Sequence, residues 1–186
     1  MKLIILTMIT TIIMSENIYK EPEYSLLHKD RNIQIRQYGE YIVAKATVPL
    51  NNGKELEKNM FRTLASYIFR GNEKNQYIPM TAPVTTFKDD KAYNMFFYML
   101  DTNDIADLPS PSGQDITFEK INLGKCAVIS FSGFVNDRKV VKYKNKLQKF
   151  LNQSDYKVIS TFMINRYDSP WTLPFARRNE ILVKID

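Results

Sequence analysis

The sequence is poor in two residues on which much enzyme and metal chemistry depends. It contains one cysteine, Cys126, and one histidine, His28, among 186 residues. A single cysteine excludes an intramolecular disulfide, and one residue of each type excludes a metal cluster built from several histidines and cysteines. A catalytic group of the Ser-His-Asp or Cys-His kind would have to use His28. We therefore expect a protein that is not an enzyme.

Aromatic residues and positive charge are plentiful. The chain holds 11 Tyr, 11 Phe and 8 Met, and its formal net charge is +6. The aromatic supply predicts an aromatic core and would also suit a flat apolar ligand. The charge favours anionic partners without choosing among them. The densest basic run, residues 137–149, has the apolar spacing of an amphipathic helix whose lysines face water, so we do not expect nucleic-acid binding.

The N-terminus carries a short apolar run, Leu3 to Met14, after Lys2 and before Ser15. The run is too short to span a bilayer comfortably, and its pattern resembles a secretory signal cleaved after Ser15. Two alternatives stay open for residues 1–15: a membrane anchor through residues 3–14, or a true start at Met14. We expect an exported protein, periplasmic or secreted, with a single monomeric domain at 19–186.

The pattern along the chain predicts two similar halves, each in the order strand, strand, helix, strand, strand. In the first half, strands within 25–48 precede a helix at about 53–69 and strands at 78–87 and 93–100. In the second, strands at 116–121 and 125–134 precede a helix at 137–151 and strands at 157–167 and 179–185. We predict an α+β fold, a distorted antiparallel β-barrel or curved sheet with two flanking helices.

The run IPMTAPVTTF, Ile78 to Phe87, combines β-prone residues with two prolines, Pro79 and Pro83. Proline cannot donate a hydrogen bond to a neighbouring strand, so this strand is expected at a sheet edge or kinked. Gly71 is expected to end the preceding helix.

Three segments resemble the SOUL haem-binding protein family: NEKNQYIPMTAPVTTF, LPSPSGQDITFEK and YDSPWTLPFARRNEILV. They occur in the family's order, and the resemblance covers about residues 22–185. It implies a distorted antiparallel barrel with two helices. It also implies non-catalytic binding of haem or another tetrapyrrole by a carrier, buffer or scavenger.

The resemblance places the ligand on a shallow apolar surface beside the first helix. There Phe61 and Ala65 could contact the macrocycle, and Lys58 or Arg62 could pair with its propionates. The alternative is that Phe61 belongs to the core and both cations are ordinary surface residues. His28 is the one histidine available as an axial ligand, although a lone histidine at a strand end is more often incidental.

Two features near the C-terminus leave alternatives open. Leu173 stands about where some relatives carry a lysine, which implies a different hold on the propionates. The cluster at 177–180, Arg-Arg-Asn-Glu, could bind propionates, but we favour a polar brace for the last strand, with Glu180 pairing an arginine and Asn179 satisfying a turn. The two-half architecture is also similar to GyrI-like effector domains, which implies the alternative of a small-molecule sensor or protein-interaction module.

Overall fold

The computed structural model describes residues 19–50, 55–113 and 115–186, so the predictions for residues 1–15 lie outside the described residues. The helices are α1, Glu55–Ile68, and α2, Asp137–Leu151, and single 3-10 turns occur at Ile105–Asp107 and Pro174–Ala176. The strands are β1 Tyr24–Asp30, β2 Ile33–Tyr38, β3 Glu40–Pro49, β4 Val84–Lys88, β5 Ala92–Tyr98, β6 Thr117–Asn122, β7 Lys125–Phe131, β8 Met163–Arg166 and β9 Asn179–Lys184.

All nine strands form one antiparallel sheet in the order β1-β2-β7-β9-β8-β4-β5-β3-β6. The order is symmetric about the β8–β4 contact, because β9, β7 and β2 on one side correspond to β5, β3 and β6 on the other. Each half contributes one strand that pairs with a strand of the other half: β2 of the first half pairs with β7, and β6 of the second half pairs with β3. The predicted α+β fold built from two similar halves is confirmed, in its curved-sheet form: β1 and β6 end the order of an open half-barrel.

Each helix covers one half of the same sheet face. α1 buries Met60, Leu64 and Tyr67 against β3 and β5, at the spacing of an amphipathic helix. α2 buries Leu147 and Leu151 against β7 and β9. Neither helix, nor any other helix within the described ranges, is long and apolar enough to cross a membrane.

The opposite sheet face carries its own aromatic core. Along β5, Phe97 packs under α1, whereas Phe96 and Tyr98 point to the other face, where they meet Val128 and Cys126. This strand is buried on both faces, as its apolar run at residues 95–98 predicts. Cys126, the cysteine of the chain, is fully buried in this second core.

The IPMTAPVTTF run behaves differently from its prediction. Only Val84–Lys88 forms a strand, and that strand lies between β8 and β5 rather than at a sheet edge. Both prolines precede it in an irregular segment, where the Ala82–Pro83 peptide bond is cis. Because proline offers no N–H to a neighbour, a central strand can start only after the second one.

The end of α1 also differs from the prediction. The residue with positive φ is Arg70, at 74°, and not Gly71. The Gly71 N–H donates to the Ser66 carbonyl at 2.8 Å, which closes the helix.

Candidate functional site

The ligand-binding residues predicted from the sequence lie together on one flank of α1. At about 100° per residue, Lys58, Phe61, Arg62 and Ala65 fall within roughly a 100° arc of the helix surface. Lys58 and Arg62 are exposed, and Ala65 is half-buried. Phe61 is 41% exposed and rests its ring against Phe97, with centroids 5.5 Å apart. Its side chain is therefore both anchored in the core and open to a ligand.

The apolar flank continues beyond the predicted residues. Phe69 follows Ala65 by one turn, and its N–H donates to the Ala65 carbonyl at 3.0 Å. The Phe69 ring is exposed and stacks on exposed Tyr77, with centroids 5.8 Å apart and an interplanar angle of 25°. Sequence reasoning missed both rings, although Phe69 lies on the same helical stripe as Phe61 and Ala65.

A buried asparagine fixes the loop that presents Tyr77. The Asn72 side-chain amide donates to the carbonyls of Tyr67, at 3.1 Å, and of Gln76, at 2.7 Å. Its Oδ1 accepts the Gln76 N–H at 3.0 Å. These three bonds join the end of α1 to the residue before Tyr77, so the stacked rings are held by a satisfied polar anchor.

Phe61 and Tyr67 lie on different sides of the buried stripe of α1. Tyr67 packs against Phe118 of β6, whereas Phe61 packs against Phe97 of β5. Strands β4 and β8 lie between the two helices, and a groove of about 450 Å³ runs over them to α2. Thr86, Ile164, Phe162 and Lys144 are among its walls.

The cluster at 177–180 is a brace, as favoured from the sequence. Asn179 donates to the Gly133 carbonyl at 2.8 Å. The partner of buried Glu180 is Arg36 of β2, at 2.8 Å, and not either neighbouring arginine. Arg178 instead pairs with Glu21 and lies 3.6 Å over the Tyr167 ring.

Tyr167 completes this brace as a hydrogen-bond donor. Its hydroxyl donates to Glu180 Oε2 at 2.6 Å. Burial and the adjacent Glu180 carboxylate raise the pKa of Tyr167 well above its ordinary value, so the phenol keeps its proton. The four side chains of the cluster thus each have a partner elsewhere in the protein, which favours a structural role over propionate binding.

A sequence model described as SOUL heme-binding protein matches residues 19–184, nearly the whole chain. The chain belongs to the SOUL haem-binding protein family. No curated protein sequence matches the chain significantly.

Solved structures share the fold of this SOUL-family chain at low sequence identity. The EcmrR C-terminal domain is 12% identical, with a TM-score of 0.64, over 88% of this chain and 98% of that one. A hydrolase from Listeria innocua is 8% identical, with a TM-score of 0.62, over 86% of this chain and 94% of that one. EcmrR in a DNA complex is 14% identical, with a TM-score of 0.60, over 83% of this chain and 57% of that one. Because one of these proteins binds DNA, the absence of nucleic-acid binding here stays a prediction.

The structure does not bring His28 to the α1 flank. His28 is exposed on β1, where its ring stacks on Phe150 of α2 with centroids 6.4 Å apart. Six strands separate β1 from β3, beneath α1. In the part of the chain that the structure describes, no group of three or more His, Cys, Asp or Glu side chains could hold a metal ion.

Proposed function

We propose that this protein binds haem or another tetrapyrrole non-covalently on the α1 flank and acts as a carrier, buffer or scavenger without catalysis. Two observations support the proposal together. The chain belongs to a haem-binding family, and the flank presents exposed aromatic rings beside two exposed cations. The rings and cations match the apolar faces and the two carboxylates of a porphyrin.

The apolar and the charged residues of the α1 flank would contact different parts of the ligand. Phe61, Ala65 and Phe69 would cover one face of the macrocycle, and Tyr77 would extend that surface. Lys58 and Arg62 would pair with the propionates at its rim. An exposed cation also recruits an anionic ligand before contact, which favours fast capture. When bound, haem would supply an iron centre and a flat conjugated ring.

Axial ligation by His28 is not part of this proposal. Its position on β1 beside Phe150 puts it on the α2 side of the molecule, away from the α1 flank. A site that relies on stacking and propionate pairing needs no protein ligand to the iron. Such a site would also accept iron-free porphyrins.

Titration of the purified protein with haemin tests the proposal directly. We expect a saturable change in the Soret band at micromolar concentration, and the same spectrum from a His28→Ala variant. Absence of a saturable change would refute tetrapyrrole binding. A changed spectrum in the His28→Ala variant would instead assign ligation to His28.

A second candidate function is small-molecule sensing through the groove over β4 and β8. The overall fold matches the EcmrR C-terminal domain over nearly its whole length. The groove combines the apolar Phe162 and Ile164 with Lys144 of α2, whose Nζ lies 4.7 Å over the Phe162 ring. In a thermal-shift screen, stabilisation by other apolar ions but not by porphyrins would favour this function.

We further propose that the protein is exported and monomeric and does not bind nucleic acid. The apolar run at residues 3–14, with Lys2 before it, supports export. N-terminal sequencing of the native protein tests it: a start at Glu16 would support cleavage after Ser15, and a start at Met1 would contradict it.

A further inference from the structure

Four large apolar side chains project from two loops at one end of the molecule. Trp171 is 93% exposed, Phe175 77%, Leu173 60% and Phe134 55%. We call these four residues the aromatic patch. A single exposed apolar residue needs no explanation, but a cluster of large ones marks an interaction surface.

Arg177 ties the two loops of the aromatic patch together. Its Nε donates to the Thr172 carbonyl at 2.8 Å, and its Nη2 donates to the Pro170 carbonyl. These carbonyls lie on either side of Trp171. The same guanidinium lies 4.4 Å over the Phe134 ring. One cation therefore fixes the loop around Trp171 and holds Phe134 beside it.

Gly133 allows the loop before α2 to lie close to Lys139 and Pro174. Its φ is +91°, and a Cβ there would lie 2.3 Å from Lys139 Nζ and 4.0 Å from the Pro174 carbonyl. The Gly133 carbonyl also accepts a bond from the buried Asn179 side chain at 2.8 Å. The loop that carries Phe134 is thus fixed to the last strand by a buried hydrogen bond.

Charge near the aromatic patch favours an anionic partner. Phe134 leads within three residues into α2, whose sequence DRKVVKYKNKLQKFL holds six basic residues and one acidic residue. The whole chain carries a net charge of +6. Tryptophan and phenylalanine beside cations suit the headgroup region of an anionic bilayer, where rings enter the interface and cations meet phosphates.

The start of the described chain lies behind the same end of the molecule. Glu21 forms an ion pair with Arg178, the residue after Arg177. The described chain therefore begins close to the connection between β8 and β9, which carries Trp171.

We propose that the aromatic patch docks this protein on the surface of an anionic phospholipid bilayer. Trp171 and Phe175 enter the interface, and the basic residues of α2 are attracted to the lipid phosphates. The docking is independent of the ligand held on the α1 flank. It also differs from anchoring by residues 3–14, because the patch inserts its own side chains.

Trp171 is the single tryptophan of the chain, so its fluorescence reports on the patch alone. The full-length protein is mixed with phosphatidylcholine vesicles with and without phosphatidylserine. We expect a blue shift of the emission and quenching by lipids brominated in the acyl chain, stronger with phosphatidylserine and weakened by salt. Unchanged emission overturns the proposal, even if the protein sediments with the vesicles, because another segment would then make the contact.

A pair of variants sharpens this test. Phe175→Ser keeps the reporter and should raise the lipid concentration needed for half-maximal quenching by about tenfold. Ile159→Ser, which removes an apolar side chain with 59% exposure outside the patch, should leave that concentration unchanged. Equal effects of the two variants overturn the proposal. A blue shift that grows with protein concentration without vesicles also overturns it, since a second copy would then occupy the patch.

Discussion

Arg36 of β2 and Glu180 of β9 form a buried bidentate ion pair across the intervening strand β7. The Nη2–Oε1 and Nη1–Oε2 distances are 2.8 and 2.9 Å, and the two residues are 4% and 1% exposed. Burial alone would lower the pKa of Arg36, but the contact with Glu180 raises it well above its ordinary value. Because β2 belongs to the first half of the chain and β9 to the second, this pair fastens the halves together.

Removing one charge of this pair should destabilise the folded protein strongly. We expect Glu180→Gln to lower the free energy of unfolding by about 3 kcal/mol, because the Arg36 guanidinium would stay buried without its counter-ion. Urea unfolding followed by circular dichroism measures the change. The matched control is Asp101→Asn in the exposed pair with Lys20, 2.7 Å long, for which we expect a loss below about 1 kcal/mol.

The double variant Arg36→Met, Glu180→Leu separates the cost of an orphaned charge from the worth of the pair. Replacing both partners by apolar residues leaves no uncompensated charge. We expect the double variant to be less destabilised than the sum of the two single changes. Strict additivity would show that the two charges do not stabilise each other.

Much of the fold follows from local patterns that tertiary contacts do not override. The apolar spacing of α2 and the two-faced burial of β5 predict their positions closely, because each pattern states which faces are covered. The placement of β4 in the sheet centre does not follow. Its prolines indicate either an edge or a kink, and only the pairing of the two halves shows that the strand is central and begins after Pro83.

The candidate site is only partly predictable for a similar reason. The helical stripe brings Phe61 and Ala65 together, whereas Tyr77 reaches Phe69 through the loop anchored by Asn72. No period in the sequence encodes that contact. Likewise, the sequence indicates a polar brace around Glu180 but does not identify its partner, Arg36, which lies 144 positions away.

The hydrogen bonds of Asn72 yield a further prediction. In an Asn72→Asp variant the carboxylate keeps its acceptor for the Gln76 N–H but cannot donate to the Tyr67 and Gln76 carbonyls. We expect a loss of about 2 kcal/mol in the free energy of unfolding, since buried carbonyls would face a negative charge. Amide hydrogen exchange should become faster in residues 70–77. Asn103→Asp, in an exposed loop, is the control and should change neither quantity.

Stability should fall at alkaline pH because of buried acids that resist ionisation. Burial raises the pKa of the Cys126 thiol from 9.0 to about 12. The unfolded chain would release this proton from about pH 9, while the folded chain would retain it. The contribution of the buried Cys126 thiol to the free energy of unfolding is therefore complete below pH 9. It is lost as the pH rises toward 12, at about 1.4 kcal/mol per pH unit. Burial raises the pKa of Tyr38 and Tyr98 in the same direction, which steepens the fall above about pH 10.

A Cys126→Ala variant isolates the thiol in this alkaline response. Urea unfolding at a series of pH values from about 8 to about 10 compares slopes, so a constant offset from the smaller side chain cancels. We expect a shallower slope for the variant. Identical slopes would show that the thiol does not ionise differently in the two states.

Charge reversal on the α1 flank should separate propionate pairing from stacking. We expect Lys58→Glu and Arg62→Glu each to weaken haemin binding by about tenfold, because a carboxylate would then face the propionates. Lys142→Glu, on the exposed side of α2, changes the net charge equally and should have no such effect. Binding is measured by Soret titration, and again with a porphyrin whose carboxylates are esterified. The esterified ligand should bind the flank variants and the unmodified protein alike; a loss that persists with the ester, or that Lys142→Glu reproduces, would place the propionates elsewhere.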